Sequence, residues 1–211
     1  MISYSQNKED LFVLDYFIDR YKISNYKGTL LEIGANDGIT FSNSKLLIEN
    51  GWTAHLVEPG FIYVDLKILH LYNPNVHVYN VGIGDKSEVV KFWQSGCHVL
   101  NGNDKGLVST TNFEETKRWP GVNFNETEIE IIKWDVFYYS IQRPKIDFIS
   151  IDAEGMDWII LKEIDLQAVG CKVLCIEWNS NPDLLKLFTA YCSGYKLALQ
   201  NAENLIFTIN E

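Results

Sequence analysis

Short apolar runs alternate with segments of helical periodicity along nearly the whole chain of 211 residues. Each run has the length of a buried strand, and the runs lie at 29–34, 53–57, 76–81, 145–151 and 172–176. The segments predicted to be helical lie at 9–21, 42–50, 61–72, 135–141, 156–165 and 181–192. Strands that alternate with helices predict an α/β fold, in which a mostly parallel, doubly wound sheet has helices on both faces.

The last part of the chain breaks this alternation. Two runs, at 195–199 and 205–209, are separated only by a turn, so they predict an antiparallel C-terminal hairpin at the edge of the sheet. A further strand or hairpin arm is predicted at 88–93, and the alternation over 128–133 predicts another strand. We expect one domain over 1–211, because domains usually have about 100–200 residues.

Residues 94–127 differ from the rest of the chain. They are rich in Gly, Asn, Ser and Thr and show no long periodic element. A loop-rich insertion of this kind usually carries a lid or a substrate site, so we expect it to form part of an acceptor site. The alternative is a surface excursion without function.

Charge and hydropathy exclude some classes of partner. Lys and Arg number 18 against 28 Asp and Glu, a net charge of −10, so phosphate backbones and therefore nucleic acids are disfavoured. No apolar stretch reaches the ~18–20 residues of a membrane helix, and the first residues lack the features of a signal peptide. Cys171 and Cys175 share a face of one predicted strand and cannot easily bridge, which favours a reduced, cytoplasmic protein.

Acidic and amide side chains follow most of the predicted parallel strands. In a doubly wound sheet the ligand lies beyond the carboxyl ends of the strands, near the switch point. A single acid at such a position is often a helix cap, but several around one crevice indicate a binding site. These residues are Glu32, Asn36, Asp37, Glu58, Asn80, Asp85, Asp152, Glu154, Glu177 and Asn179.

The loop after the first strand indicates which ligand this is. Residues 34–38, Gly-Ala-Asn-Asp-Gly, are glycine-rich but are not the G-x-G-x-x-G of dinucleotide-binding proteins. Glu32 and Asp37 would repel a pyrophosphate and suit a ligand that carries an ammonium or sulfonium group. Glu58, at the end of the second strand, can accept both hydrogen bonds of a ribose diol.

The chain resembles the FkbM family of S-adenosylmethionine-dependent methyltransferases. The motifs that carry the resemblance run in order along nearly the whole chain; only 94–127 has no counterpart. They are Ser5-Gln6 with Glu9-Asp10, Leu-Glu-Ile-Gly-Ala-Asn-Asp-Gly at 31–38, Ser42-Asn43-Ser44, Gly51-Trp52, Val57-Glu58-Pro59, the segment 146–155 and Ile176-Glu177-Trp178-Asn179.

The resemblance implies a class I methyltransferase (Rossmann-like) fold and methyl transfer to the hydroxyl of a sugar, glycan or related natural product. It implies that the cofactor is S-adenosylmethionine and assigns residues to each part of it. Glu32, Gly34, Ala35, Asn36 and Asp37 would hold the methionine end, Glu58 the ribose with Pro59 fixing the chain beyond it, and Val81, Gly82 and Asp85 the adenine. Gln6 and Ser44 are further cofactor-binding candidates, and Asp152 would face the transferred methyl group and the acceptor.

Three residues are candidates for the catalytic chemistry. A sugar hydroxyl is a poor nucleophile and needs a base or a metal. Asp152 and Glu154 could form a base with its orienting partner, or bind a hard cation such as Mg²⁺, which is compatible with the sequence but not predicted. For Glu154 the alternative is a helix cap or a lysine partner. His98 is a candidate general base, with an exposed loop histidine as the alternative. Trp93 and Trp119 could stack on a sugar.

Other functions stay open at this point. The acceptor could be a lipid, a peptide or a small metabolite. A nicotinamide-binding oxidoreductase is disfavoured by the missing G-x-G-x-x-G motif and by the terminal hairpin. A binding module without activity is disfavoured by the presence of Glu32, Glu58 and Asp152.

Overall fold

The computed structural model describes residues 2–96 and 105–210, which form ten strands and seven helices. The strands are β1 Thr29–Ile33, β2 Thr53–Val57, β3 Val76–Tyr79, β4 Gly82–Gly84, β5 Glu88–Ser95, β6 Phe124–Lys133, β7 Phe148–Ile151, β8 Val173–Glu177, β9 Tyr195–Gln200 and β10 Asn204–Ile209. The helices are α1 Glu9–Tyr21, α2 Lys45–Glu49, α3 Tyr63–Leu69, α4 Phe113–Thr116, α5 Trp134–Ser140, α6 Asp157–Leu161 and α7 Pro182–Tyr191.

Seven strands form the main sheet in the order β3-β2-β1-β7-β8-β10-β9. The pairs from β3 to β8 are all parallel, whereas β10 runs antiparallel to both β8 and β9. The predicted α/β sheet with an antiparallel C-terminal hairpin is therefore confirmed. The hairpin does not simply extend the edge, because its second strand lies between β8 and β9.

Each face of this sheet is covered by its own hydrophobic core, because successive residues of a strand point to opposite faces. On one face Leu31 and Ile33 pack with α5, α6 and α7. On the other face Leu30 packs with α1, α2 and α3, where Phe17 and Trp52 are fully buried. Helices on both faces are what a doubly wound sheet requires.

A second, three-stranded sheet has the order β4-β6-β5. The predicted strands at 88–93 and 128–133 lie in β5 and β6, but their pairing into a separate sheet was not predicted. β5 and β6 form a long antiparallel hairpin, and β4 pairs in parallel with β6. The loop-rich insertion is therefore shorter than the predicted range 94–127, because residues 94–95 and 124–127 belong to the two strands of the hairpin.

Several helices are shorter than their apolar spacing predicts. The predicted helix at 42–50 begins only at Lys45, because the Ser42 hydroxyl accepts hydrogen bonds from the Ser44 and Lys45 amides at 3.3 and 3.1 Å. Serine side chains compete in this way with helical hydrogen bonding. Likewise, 61–72 and 156–165 contain α3 and α6 flanked by turns.

Within the described residues, no helix is long and apolar enough to cross a membrane. The thiols of Cys171, Cys175 and Cys192 are buried and free.

Candidate active site

A cavity of about 250 Å³ opens at the carboxyl ends of β1, β2, β7 and β8. This is the edge at which the sequence places the ligand. Twelve of the strand-end and cofactor-site residues predicted from the sequence line it: Gln6, Glu32, Gly34, Ala35, Asn36, Glu58, Pro59, Gly82, Asp152, Glu154, Glu177 and Asn179.

The loop after β1 brings two strand ends into direct contact. The amides of Gly34 and Ala35 both donate to the Val57 carbonyl, at 2.9 and 3.0 Å. Gly34 has φ +87°, and a Cβ atom there would lie 1.7 Å from the Asp152 carbonyl oxygen. Only glycine fits this position. The contact sets the position of Asp152 relative to the first loop.

Glu58 lies in the cavity wall with 7% of its surface exposed. One carboxylate oxygen accepts from the Asn36 amide at 3.0 Å and the other from the Gly60 amide at 2.6 Å. Burial raises the pKa of Glu58 to about 7, although both hydrogen bonds favour the charged form. A carboxylate has about four acceptor positions, so two remain for donors in the cavity.

Glu32 is held by the segment before α2. Its carboxylate accepts from the Asn43 amide at 3.0 Å and from the Ser44 hydroxyl at 2.5 Å. Burial raises the pKa of Glu32 to about 7, and these hydrogen bonds act against that rise. Ser44 is completely buried and does not line the cavity, so its contact with the site is through Glu32.

Three carboxylates meet where β7 and β8 end. Oxygen atoms of Asp152, Glu154 and Glu177 lie within 4.8 Å of one another. Burial, reinforced by the charges of Asp157 and Glu32, raises the pKa of Asp152 to about 8. Burial and the neighbouring carboxylates also raise the pKa values of Glu154 and Glu177 well above the usual range. A carboxyl group with a pKa near neutrality can take up or release a proton at working pH.

The described part of the insertion lies over this cavity. The Asn36 side chain donates to the Lys105 carbonyl at 3.1 Å, and the Thr110 hydroxyl donates to the Glu154 carbonyl at 2.7 Å. Gly106, Leu107, Val108, Ser109, Thr111 and Trp119 line the cavity. Trp93, by contrast, packs against Phe113 with ring centroids 5.3 Å apart and is not in the lining.

Four predicted cofactor-binding residues lie outside the lining. Asp37 caps its own turn, where it accepts from the Ile39 and Thr40 amides and from the Thr40 hydroxyl. Ser44 supports Glu32, as described. Val81 packs against the core beside α5 and α6, and Asp85 pairs with Lys162 at 3.4 Å. His98 and its neighbour Cys97 lie outside the described residues.

Sequence reasoning missed the contribution of the two chain ends. Glu203 and Asn204, at the turn before β10, line the cavity because β10 pairs with β8 and places Asn204 opposite Glu177. The N-terminal segment joins them: Glu9 is fully buried and accepts from the Asn201 and Asn204 side chains at 2.7 and 3.0 Å. This contact brings Gln6 to the cavity. An antiparallel strand inserted beside β8 is the signal that could have indicated Glu203 and Asn204.

Comparison with known proteins gives one family and several structural neighbours. The family model of the methyltransferase FkbM domain matches residues 32–194. No curated protein matches the chain. The METTL16 methyltransferase domain, in a second crystal form, superposes with a TM-score of 0.51 at 10% identity, covering 100% of this chain and 70% of that chain.

Two other neighbours have a TM-score of 0.47 and 10% identity. One is a putative RNA methyltransferase, PH1948 from Pyrococcus horikoshii, with 99% of this chain and 87% of that chain covered. The other is precorrin-6y C5,15-methyltransferase from Geobacter metallireducens GS-15, with 100% and 92% covered. At such identities the superposition on the METTL16 domain shows a common fold and no more.

Proposed function

The chain belongs to the FkbM methyltransferase family and is an S-adenosylmethionine-dependent methyltransferase, and we propose that it methylates a hydroxyl group of a sugar, glycan or related natural product. The observation that carries this proposal is Asp152, a half-buried carboxylate that lines the cavity and has a pKa raised to about 8. A general base works best when its pKa lies near the operating pH.

The hydrogen-bond acceptors and the apolar walls of the cavity fit S-adenosylmethionine. Glu58 keeps two acceptor positions for the ribose diol. Glu32 and the loop from Gly34 to Asn36 supply the negative and polar groups that suit the methionine end. Apolar side chains from the second sheet and its neighbours offer a surface for adenine next to Gly82: Ile83, Phe92, Ile129 and Ile131.

The chemistry requires alignment and removal of one proton. When bound, S-adenosylmethionine would supply a methyl group on a sulfonium sulfur, and that sulfur would keep the electron pair of the broken carbon–sulfur bond. The acceptor oxygen bonds the methyl carbon, and Asp152 takes the hydroxyl proton. Asp152 is held for this step by its own amide, which donates to the Ile33 carbonyl at 3.0 Å, and by the Gly34 contact.

The acceptor side of the cavity supports a polyhydroxylated ligand. It carries many hydrogen-bonding groups and one indole ring, and these belong to Thr111, Trp119, Glu177, Asn179, Glu203 and Asn204. An aromatic ring among such groups suits the face of a sugar. The net charge of −10 argues against a nucleic-acid acceptor. We also propose that the chain is one domain and that its insertion contributes to the acceptor site. The free, buried thiols of Cys171, Cys175 and Cys192 support the further proposal that the protein works in the cytoplasm.

Calorimetric titration with S-adenosylhomocysteine, with NAD as the control ligand, tests the cofactor site. Tritiated S-adenosylmethionine with a panel of methyl glycosides, catechols, peptides, lipids and RNA then tests the acceptor. We expect label in the glycosides, and mass spectrometry locates the methyl group on an oxygen. Label confined to RNA or to peptide nitrogen would refute the proposed acceptor.

The variant Asp152→Asn tests the base. We expect turnover to fall by about 10²–10⁴-fold, because that is the usual contribution of general-base catalysis. The affinity for S-adenosylhomocysteine should change much less. Asp135→Asn is the matched control, since Asp135 is exposed on α5 and pairs only at the surface with Lys133. Turnover of Asp152→Asn equal to that of the control would exclude Asp152 as the base.

A further inference from the structure

The carboxylates of Asp152, Glu154 and Glu177 have the spacing of ligands around a single ion. Each offers an oxygen atom, and these atoms lie within 4.8 Å of one another. Oxygen ligands bind Mg²⁺ or Ca²⁺ at about 2.0–2.6 Å, so two ligands on opposite sides of one ion lie about 4–5 Å apart. The three side chains come from two neighbouring strand ends, β7 and β8, and all line the cavity.

One oxygen of this group has no partner. Glu154 is only 8% exposed, and its Oε2 atom is buried without any hydrogen bond within the described residues. An unsatisfied buried polar atom costs about 1–3 kcal/mol, and more when the group is charged. The Glu154 carboxylate is therefore directed into the cluster but is not satisfied by the protein around it.

The charges around the cluster are also unbalanced. Asp157 adds a fourth carboxylate, whose oxygens are already used by the Ala153 and Gly155 amides at 2.9 and 3.1 Å. Arg118 is the cation that acts on Glu154 and Glu177, but its guanidinium is bound to Glu115 at 2.6 Å. Buried carboxylates without compensating positive charge are expensive.

We propose that Asp152, Glu154 and Glu177 bind one hard divalent cation, Mg²⁺ or Mn²⁺, at the acceptor end of the cavity. All three ligands are carboxylates, which select hard cations over zinc, whose sites are rich in nitrogen and sulfur ligands.

The role of the cation rests on the proposed function. A divalent cation beside Asp152 would bind the hydroxyl oxygen of the acceptor and make its proton more acidic. Asp152 has two carboxylate oxygens, so one can bind the cation while the other takes the proton. The cation lowers the basicity of Asp152, and it lowers the pKa of the bound hydroxyl as well, so the proton transfer remains matched. The cation would in this way also orient the acceptor toward the methyl group.

Binding of Mn²⁺, measured from the loss of the free-ion signal in electron paramagnetic resonance, tests the site without turnover. We expect one Mn²⁺ per full-length chain with a Kd below about 1 mM, with and without S-adenosylhomocysteine. Glu154→Gln and Glu177→Gln should each weaken binding about tenfold or more, because each removes one ligand charge. Glu58→Gln is the matched control: it removes a buried carboxylate from the same cavity but leaves the three ligands, and its Kd should stay within about threefold.

Thermal unfolding provides a second measurement that also controls for misfolding. Mn²⁺ should raise the Tm of the unmodified protein and of Glu58→Gln but not that of Glu154→Gln or Glu177→Gln. Absence of saturable Mn²⁺ binding, or equal binding in all three variants, would overturn the inference. Failure of S-adenosylhomocysteine to bind a protein that still binds Mn²⁺ would instead overturn the cofactor site, so the two failures are distinguishable.

Discussion

Replacing Gly34 by alanine should destabilise the protein through one specific contact. Gly34 has φ +87°, a conformation that costs an alanine about 1–2 kcal/mol. In addition, the new Cβ would lie 1.7 Å from the Asp152 carbonyl oxygen, a backbone atom that cannot rotate away. Overpacking of this kind costs about 1–3 kcal/mol. We therefore expect the free energy of unfolding to fall by about 2–5 kcal/mol.

Gly121 offers a matched control for the conformational part of this loss. It also has a positive φ, +96°, but a Cβ there meets nothing within 4 Å. Gly121→Ala should therefore lose only about 1–2 kcal/mol. Urea unfolding followed by tryptophan fluorescence gives both values. The difference between the two variants measures the contact between Gly34 and Asp152.

The same substitution should also affect turnover, because the Asp152 backbone must withdraw to make room. A displacement of about 1 Å in an active site can cost ~10²-fold in rate. We expect Gly34→Ala to lose turnover to that degree, and Gly121→Ala to lose much less. If the two variants have the same stability and the same turnover, the close contact between the ends of β1 and β7 does not exist as described.

Three further predictions concern the buried carboxylates. Because the pKa of Glu58 is raised from 4.5 to about 7, the folded protein holds this proton more tightly than the unfolded chain does. The stability of the cofactor-free protein should therefore fall as the pH rises from about 4.5 to about 7, and urea titrations should show a smaller fall in Glu58→Gln. The affinity for S-adenosylhomocysteine should rise over the same pH range, because the ribose diol needs the charged carboxylate as its acceptor. Calorimetry at pH 8 should show a weaker affinity in Glu58→Gln than in the unmodified protein. An unchanged affinity would remove Glu58 from the ribose site. Ser44→Ala should cost about 1.5–3 kcal/mol at pH 8, where Glu32 is ionised, and less at pH 5; equal losses at the two pH values would contradict the hydrogen bond to Glu32.

The main sheet could be predicted because its strands are buried on both faces. β1, β2, β7 and β8 are buried, mostly apolar runs, and each has an acidic residue at or just beyond its carboxyl end: Glu32, Glu58, Asp152 and Glu177. For the same reason Glu32, Glu58 and Asp152 could be placed at the cavity from the sequence. The rule that ligands lie at the carboxyl ends of such strands depends on topology and not on side-chain detail.

Two strands of the second sheet could be predicted, at 88–93 and 128–133, but their pairing and the full length of β6 could not. β4 is only three residues long, and the first part of β6, from Asn125 to Thr127, is exposed and carries no apolar alternation. The prediction that Asp37 holds the cofactor failed to consider an alternative role. An Asp side chain can also accept from the backbone amide two residues later, here that of Ile39, and so form an Asx turn. The structure shows that turn, in which the carboxylate is occupied by neighbouring donors.

The position of β10 has a consequence for synthesis on the ribosome. Residues 204–209 fill the gap between β8 and β9, and the turn before them closes the cavity together with the segment around Glu9. A nascent chain that has emerged only to residue 200 therefore exposes the edge of β8 and lacks one wall of the cavity. Until β10 pairs with it, the unpaired edge of β8 is prone to aggregation. We expect the nascent chain to need protection by a chaperone until this strand has emerged.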